Sequence, residues 1–220
     1  MASTARGPRG HYARTATRRR EIAQAVLDLV VEKGHANVTT AEVALRAGAS
    51  EATVLYHYPS KDHLLLAALE RDQELAVHHA EKDGVRTADG LAGLDIDALA
   101  EAARVSTRRE PLLRLRLALT GLAATPGHPA EDYFARYNRV AVEAYGRLVA
   151  ERQKTGQAHP SLDPVEVARQ FVAAWDGLAA QWLLSPDFDL GALVVQAFRR
   201  LSGQNWMEAA RAVIEPPNGI

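Results

Sequence analysis

The chain has 220 residues, 47% of them hydrophobic and 24% charged, and a formal net charge of −1. That fits one or two globular domains with a sizeable core. It contains no cysteine, which excludes disulfides, thiol redox sensing and Cys-ligated zinc and fits a reducing compartment. No apolar run reaches the ~18 residues of a membrane span. The basic start, MASTARGPRGHYARTATRRR, has no apolar segment behind it and is not a secretory signal. The expectation is a soluble, cytoplasmic protein.

The near-neutral total hides an asymmetry. Residues 1–20 hold six arginines and no acid, residues 1–62 balance at +3, and the remainder at −4. A basic end on an acidic body points to a polyanion partner for the N-terminal part. A merely solvated basic tail explains the same charges.

In chain order, residues 1–15 carry little periodic apolar signal and read as a disordered basic arm. Ile22, Val26, Leu29 and Val30 give a first helix from near Thr17, ended by Lys33-Gly34. Thr39 with Glu42 three residues on is a capping box opening a second helix. Gly48 supplies the left-handed backbone of a sharp turn. Ser50 caps a third helix, Glu51–His57, which Pro59 stops. Ser60 caps a fourth, from Lys61 to about Ala80. Further helices are expected near 95–108, 111–124, 129–155, 163–184 and 187–202, with breaks at Glu110-Pro111, TPGHP and HPSLDP. No segment of convincing β period occurs. The fold class is all-α, with about nine helices. The domain division is an arm at 1–15, a helix-turn-helix domain at 16–62 and a helical ligand-binding and dimerisation domain at 63–220.

Two short helices joined by a tight Gly-containing turn, with a third at once after them, are the sequence form of a helix-turn-helix. Ser50, Glu51, Ala52 and Thr53 lie at the N-terminal end of the third helix, the end that meets base edges. Thr53 can hydrogen-bond a base or offer its methyl to thymine, and Glu51 can accept from a cytosine amino group. Tyr56, His57 and Tyr58 can donate to phosphates, although Tyr56 and Tyr58 also suit packing against the fourth helix. Lys61 at a helix N-terminus favours a phosphate, or stays an ordinary solvated lysine.

Arg19–Leu65 resembles the DNA-binding domain of TetR/AcrR-type repressors. The matching landmarks are Gly34, Thr39, Ala47-Gly48-Ala49-Ser50, Thr53, Tyr56-His57-Tyr58 and Pro59-Ser60-Lys61. The resemblance implies that helix three reads bases and that His57, the second aromatic position of the Tyr56-His57-Tyr58 run (Tyr58) and Lys61 contact phosphate. The candidate DNA-binding set is Arg19, Thr39, Thr40, Ser50, Glu51, Ala52, Thr53, Tyr56, His57 and Lys61. Two residues depart from the family pattern: Leu55 replaces a frequent tyrosine, and Glu51 a basic or small polar residue.

In the body, Phe171–Leu184 is interrupted only by Asp176, Gly177 and Gln181. Helices apolar nearly all round are buried on two sides, one of them most simply by a second subunit. Trp175, Leu178, Trp182, Leu193, Val194, Ala197, Phe198 and Leu201 are the expected dimer residues, with a monomeric core as the other reading. Seven of the thirteen aromatics fall between 133 and 182. Arg114, Tyr133, Tyr137, Asn138, Phe171 and Trp175 are candidate ligand residues, with Arg116 as a further polar group, and plain core is the alternative for each. The resemblance implies a small-molecule cavity whose occupation changes the spacing of two reading heads through the fourth helix.

Glu70, Glu74 and His78 line one helical face, a spacing met more often on solvated surface than at a metal. No catalytic arrangement or nucleotide-binding glycine loop is present, so neither enzymatic activity nor a cofactor is expected. Together these features predict a ligand-responsive regulator, a repressor in the main reading, binding a pseudo-palindromic DNA operator as a homodimer and released by a small-molecule effector. The competing reading is an all-α small-molecule-binding protein or enzyme that does not act on DNA.

Overall fold

The structure, a computed structural model, describes residues 8–82 and 95–214. Among these are ten α-helices and no strand. They are α1 (Pro8–Lys33), α2 (Thr40–Arg46), α3 (Glu51–His57), α4 (Lys61–Lys82), α5 (Ile96–Arg108), α6 (Glu110–Leu122), α7 (Glu131–Lys154), α8 (Pro164–Leu184), α9 (Leu190–Leu201) and α10 (Gln204–Ile214). A 3-10 turn, His35–Asn37, links α1 to α2.

The all-α expectation holds, with three local differences. First, α1 begins at Pro8 rather than near Thr17, so residues 8–15 are helical rather than an irregular arm. Proline suits a first helical position, and the Ala and Arg that follow favour a helix. Residues 1–7 of the expected arm lie outside the described residues. Second, α5 and α6 meet at Arg109, which ends one helix and begins the next, with Pro111 inside the first turn of α6. Pro111 stands at the start of the helix expected from 111, and the expected gap before it shrinks to Arg109 alone. Third, α10 was not expected. It follows α9 after only Ser202 and Gly203.

The capping positions explain most boundaries. Asp95, Asp163 and Asp189 each accept backbone N–H bonds at the start of α5, α8 and α9. Burial then divides the chain into two cores. The first gathers Ile22, Val26 and Val30 of α1, Val43 of α2, Val54 of α3 and Leu64–Leu69 of α4. It also takes Leu112, Leu115 and Leu119 of α6 and Phe134 of α7. The second holds Leu99, Leu113, Tyr145, Val149, Phe171, Val194 and Phe198. Thus α6 gives Leu112, Leu115 and Leu119 to one core and Leu113 to the other. Its i, i+3, i+7 leucines form a single stripe facing α1, the 3-10 turn and α4.

Candidate nucleic-acid interface

The turn between α2 and α3 is fixed by local chemistry. Thr39 and Glu42 form the expected capping box: the Thr39 hydroxyl accepts from the Glu42 N–H, and Glu42 Oε2 accepts from the Thr39 N–H at 3.1 Å. Lys33 adds an ion pair to Glu42 from the end of α1. That pair and the Thr39 bonds hold the Glu42 carboxyl down at about 2. After α2, Gly48 turns left-handed at φ 58°. The Ala49 N–H donates to the Ala44 carbonyl at 2.9 Å and Gly48 to Leu45 at 3.3 Å, a Schellman closure. Ser50 then caps α3, accepting from the Thr53 N–H at 3.1 Å, and the Ser50 and Thr53 hydroxyls lie 2.9 Å apart.

With α3 anchored by buried Val54 and by Tyr58 just past its end, its open side is Glu51, Ala52, Leu55 and Tyr56. Tyr56 is 79% exposed, so its packing alternative is excluded, whereas Tyr58 is core. Its hydroxyl donates to the Arg19 carbonyl at 3.1 Å. Arg19 in turn donates to the His57 carbonyl at 3.2 Å. Arg19 was expected at DNA; here it ties α1 to the end of α3. Arg18 similarly donates to the Ala47 carbonyl. His57 is half-buried, and burial, followed by the Arg19 and Arg18 charges, lowers its pKa below the usual histidine value. It is therefore a neutral donor at pH 7. Lys61 donates to the Ala36 carbonyl at 2.8 Å from an exposed position, leaving two of its three donors. Thr40 lies at the start of α2, half-buried. Glu51 has no ion-pair partner among the described residues. Leu45, on the last turn of α2, is 85% exposed and was not singled out from the sequence; an apolar side chain left open beside the turn is its only signal.

Residues 20–68 match the family of bacterial regulatory proteins described as tetR. This segment is a tetR-family domain. Beyond this segment, the fold over most of the chain is similar to that of solved regulators. A TetR transcriptional regulator from Rhodococcus sp. RHA1 superimposes with a TM-score of 0.59 at 23% identity, covering 86% of this chain and 96% of that one. NalD of Pseudomonas aeruginosa, the secondary repressor of the MexAB-OprM multidrug efflux pump, gives 0.55 at 21% identity over 84% and 96%. FadR of Thermus thermophilus, solved with lauroyl-CoA, gives 0.56 at 19% identity over 83% and 92%. No curated protein matches the sequence. A tetR-family domain is a DNA-binding, non-enzymatic regulatory module. No helix among the described residues is long and apolar enough to cross a membrane.

Behind the tetR-family domain, a cavity of about 460 Å3 opens between α4, α6 and α7. Tyr133, Arg136, Tyr137 and Val140 of α7 line it at i, i+3, i+4 and i+7, together with Leu69, Asp72 and Gln73 of α4 and Arg116 of α6. Of the expected ligand residues, Tyr133, Tyr137 and the further polar group Arg116 reach it. Arg114 instead binds Glu110 and donates to the Leu183 carbonyl at 3.1 Å. Asn138 is exposed on another face of α7. Phe171 is fully buried among Tyr145, Trp175 and Phe198. Trp175 packs beside it against the second core. Arg136 was missed because a charged residue on a helix reads as solvated; its membership in the Tyr133–Tyr137 face was the available signal.

Among the expected dimer residues, Val194 and Phe198 are 0% exposed within the single chain. They are core, not surface, because the i, i+4, i+8 row Leu190, Val194 and Phe198 faces inward. Trp175, Leu178, Trp182, Leu193, Ala197 and Leu201 remain partly open. Glu74 of the acidic stripe pairs with Arg20 and Arg71, and no group of three metal-ligating side chains occurs among the described residues.

Proposed function

We propose that this protein is a ligand-responsive transcriptional repressor that binds a pseudo-palindromic operator as a homodimer, with α3 of each protomer in the major groove. The observation that carries this reading is the open face of α3. Glu51, Ala52, Leu55 and Tyr56 are held outward by a capping box, a Schellman turn and two buried anchors, and a face so fixed needs no reordering on DNA. Pairing is assigned to the partly open rows Trp175, Leu178, Trp182 on α8 and Leu193, Ala197, Leu201 on α9. They repeat at helical spacing on two adjacent helices, as a four-helix two-fold interface requires. Release follows when an effector binds the DNA-incompetent arrangement better, by an amount equal to its differential affinity. The cavity behind α4 is the effector site in this reading, because α4 both lines it and begins at Lys61 beside the reading helix.

The test is selection of bound duplexes from a random library, followed by footprinting. A two-fold symmetric protected site is expected, with half-sites about one helical turn or a multiple apart. Recovery of no preferred sequence at moderate salt sinks the proposal.

A further inference from the structure

We propose that the cavity between α4, α6 and α7 takes a small organic anion with a planar apolar body, its acid group held by Arg136 and Arg139. This rests on the reading of that cavity as the effector site. The case is one of charge left over. Asp72 is the only carboxylate on the wall, and Arg109 at the end of α5 already pairs with it. Arg116 is likewise spoken for: it pairs with Asp176 at 2.9 Å and its guanidinium stands 5.7 Å from the Tyr137 ring centre. Arg136 and Arg139 remain. They lie three residues apart on α7, so their side chains leave the same side of the helix. Neither has an ion-pair partner among the described residues. Arg136 exerts its charge on Glu70 of α4, which is not part of the wall.

Two guanidiniums without an ion pair among the described residues therefore border a cavity whose wall also holds Leu69, Gln73, Val140 and the rings of Tyr133 and Tyr137, besides the paired Asp72 and Arg116. Burial keeps the Tyr133 phenol protonated, its pKa pushed up to about 12, and its hydroxyl donates to Gln73 Oε1 at 3.2 Å. The wall thus offers apolar faces, neutral hydroxyls and two planar cations suited to a carboxylate. A cationic ligand would meet repulsion from both arginines. The volume suits a ligand of one or two fused rings.

The test is calorimetric titration of the full chain with three compounds sharing one ring system: 2-naphthoate, 2-naphthol and 2-naphthylmethylammonium. Naphthoate is expected to bind best, by about tenfold over the ammonium compound. Replacing both arginines (Arg136→Gln with Arg139→Gln, both exposed) should cost naphthoate about tenfold and leave naphthol nearly unchanged, with an unaltered circular dichroism spectrum. Failure of naphthoate to bind, equal or tighter binding of the ammonium compound, or naphthoate affinity indifferent to the double substitution each overturns the assignment. Adding the compounds to DNA-bound protein separates this proposal from the effector reading. Naphthoate bound with DNA retained upholds the anion and defeats the effector role. An ammonium compound that occupies the cavity and releases DNA does the reverse.

Discussion

The ring of Tyr58 lies 4.7 Å from the Arg19 guanidinium, and its hydroxyl donates to the Arg19 carbonyl at 3.1 Å. Residues thirty-nine positions apart thereby close the end of α3 onto α1. This makes Arg19 a positioning residue for the reading helix, although its charge and location resemble those of a phosphate contact.

Tyr58→Phe should consequently lower stability by about 1 kcal/mol, the usual net worth of one hydrogen bond, read by urea unfolding. Arg19→Ala should weaken DNA binding without changing the slope of log affinity against log salt. Loss of a direct phosphate contact would lower that slope by about one unit, and such a drop would place Arg19 on the DNA.

Glu51 is the one charged residue on the open face of α3, and it has no ion-pair partner among the described residues. Glu51→Gln should strengthen binding to duplexes of arbitrary sequence by about fivefold, the energy of one like-charge pair in a water-like medium. If the selected half-site holds a cytosine opposite this position, the same change should weaken binding to it. Anisotropy titrations on selected and scrambled duplexes distinguish the two, and no change on either means that Glu51 stays clear of DNA.

The capping box gives the second helix an acid limit. The Glu42 carboxyl is held down to about 2 by Lys33 and Thr39. A depressed folded-state pKa contributes stability above the unfolded value, near 4.5, and loses it as pH falls towards 2. Stability should therefore decline over that window, and Glu42→Gln should flatten this part of the profile. His57 acts in a higher range. Its lowered pKa means that protonation is disfavoured in the fold, so its contribution is present above the usual value of 6.5 and lost as pH falls below it. Denaturation midpoints of the unaltered chain, of Glu42→Gln and of His57→Gln between pH 2 and 7 check the two windows.

Where α9 crosses α5, Gly191 sits against backbone. A Cβ there would come 2.8 Å from the Ala100 carbonyl oxygen and 3.1 Å from Asp189 Oδ1. Helix propensity favours Gly191→Ala by about 1 kcal/mol, but the obstruction is a carbonyl that cannot rotate away. Forcing the helices apart costs about 1–3 kcal/mol, so the variant should be net destabilised. A raised melting temperature would mean that α5 yields.

The reading head was legible in the sequence because its determinants are local. Thr39 with Glu42, Gly48, and Ser50 with Thr53 act over three to five residues, and each does in space what its spacing indicates. The body was less so. On α9 the row Leu190, Val194, Phe198 and the row Leu193, Ala197, Leu201 are both wholly apolar and differ by less than a turn of the helix. Periodicity shows that both are apolar but not which one the protomer keeps for itself. The cavity was half visible: Tyr133 and Tyr137 stood out as aromatics, while Arg136 between them looked like solvent-facing charge. The tie from Arg19 to the end of α3 was not legible because its partners, His57 and Tyr58, are distant in sequence and a cation suits either role.

The divided leucines of α6 set a limit on length. Leu112, Leu115 and Leu119 serve the reading head's core and Leu113 the other. Each added residue turns everything beyond it by about 100°. A single insertion between Leu113 and Leu115 would swing Leu115 and Leu119 away from the head while Leu112 still held it. The phase of this helix is thus as strict as its composition, and a one-residue insertion should harm the fold more than most single substitutions on its surface.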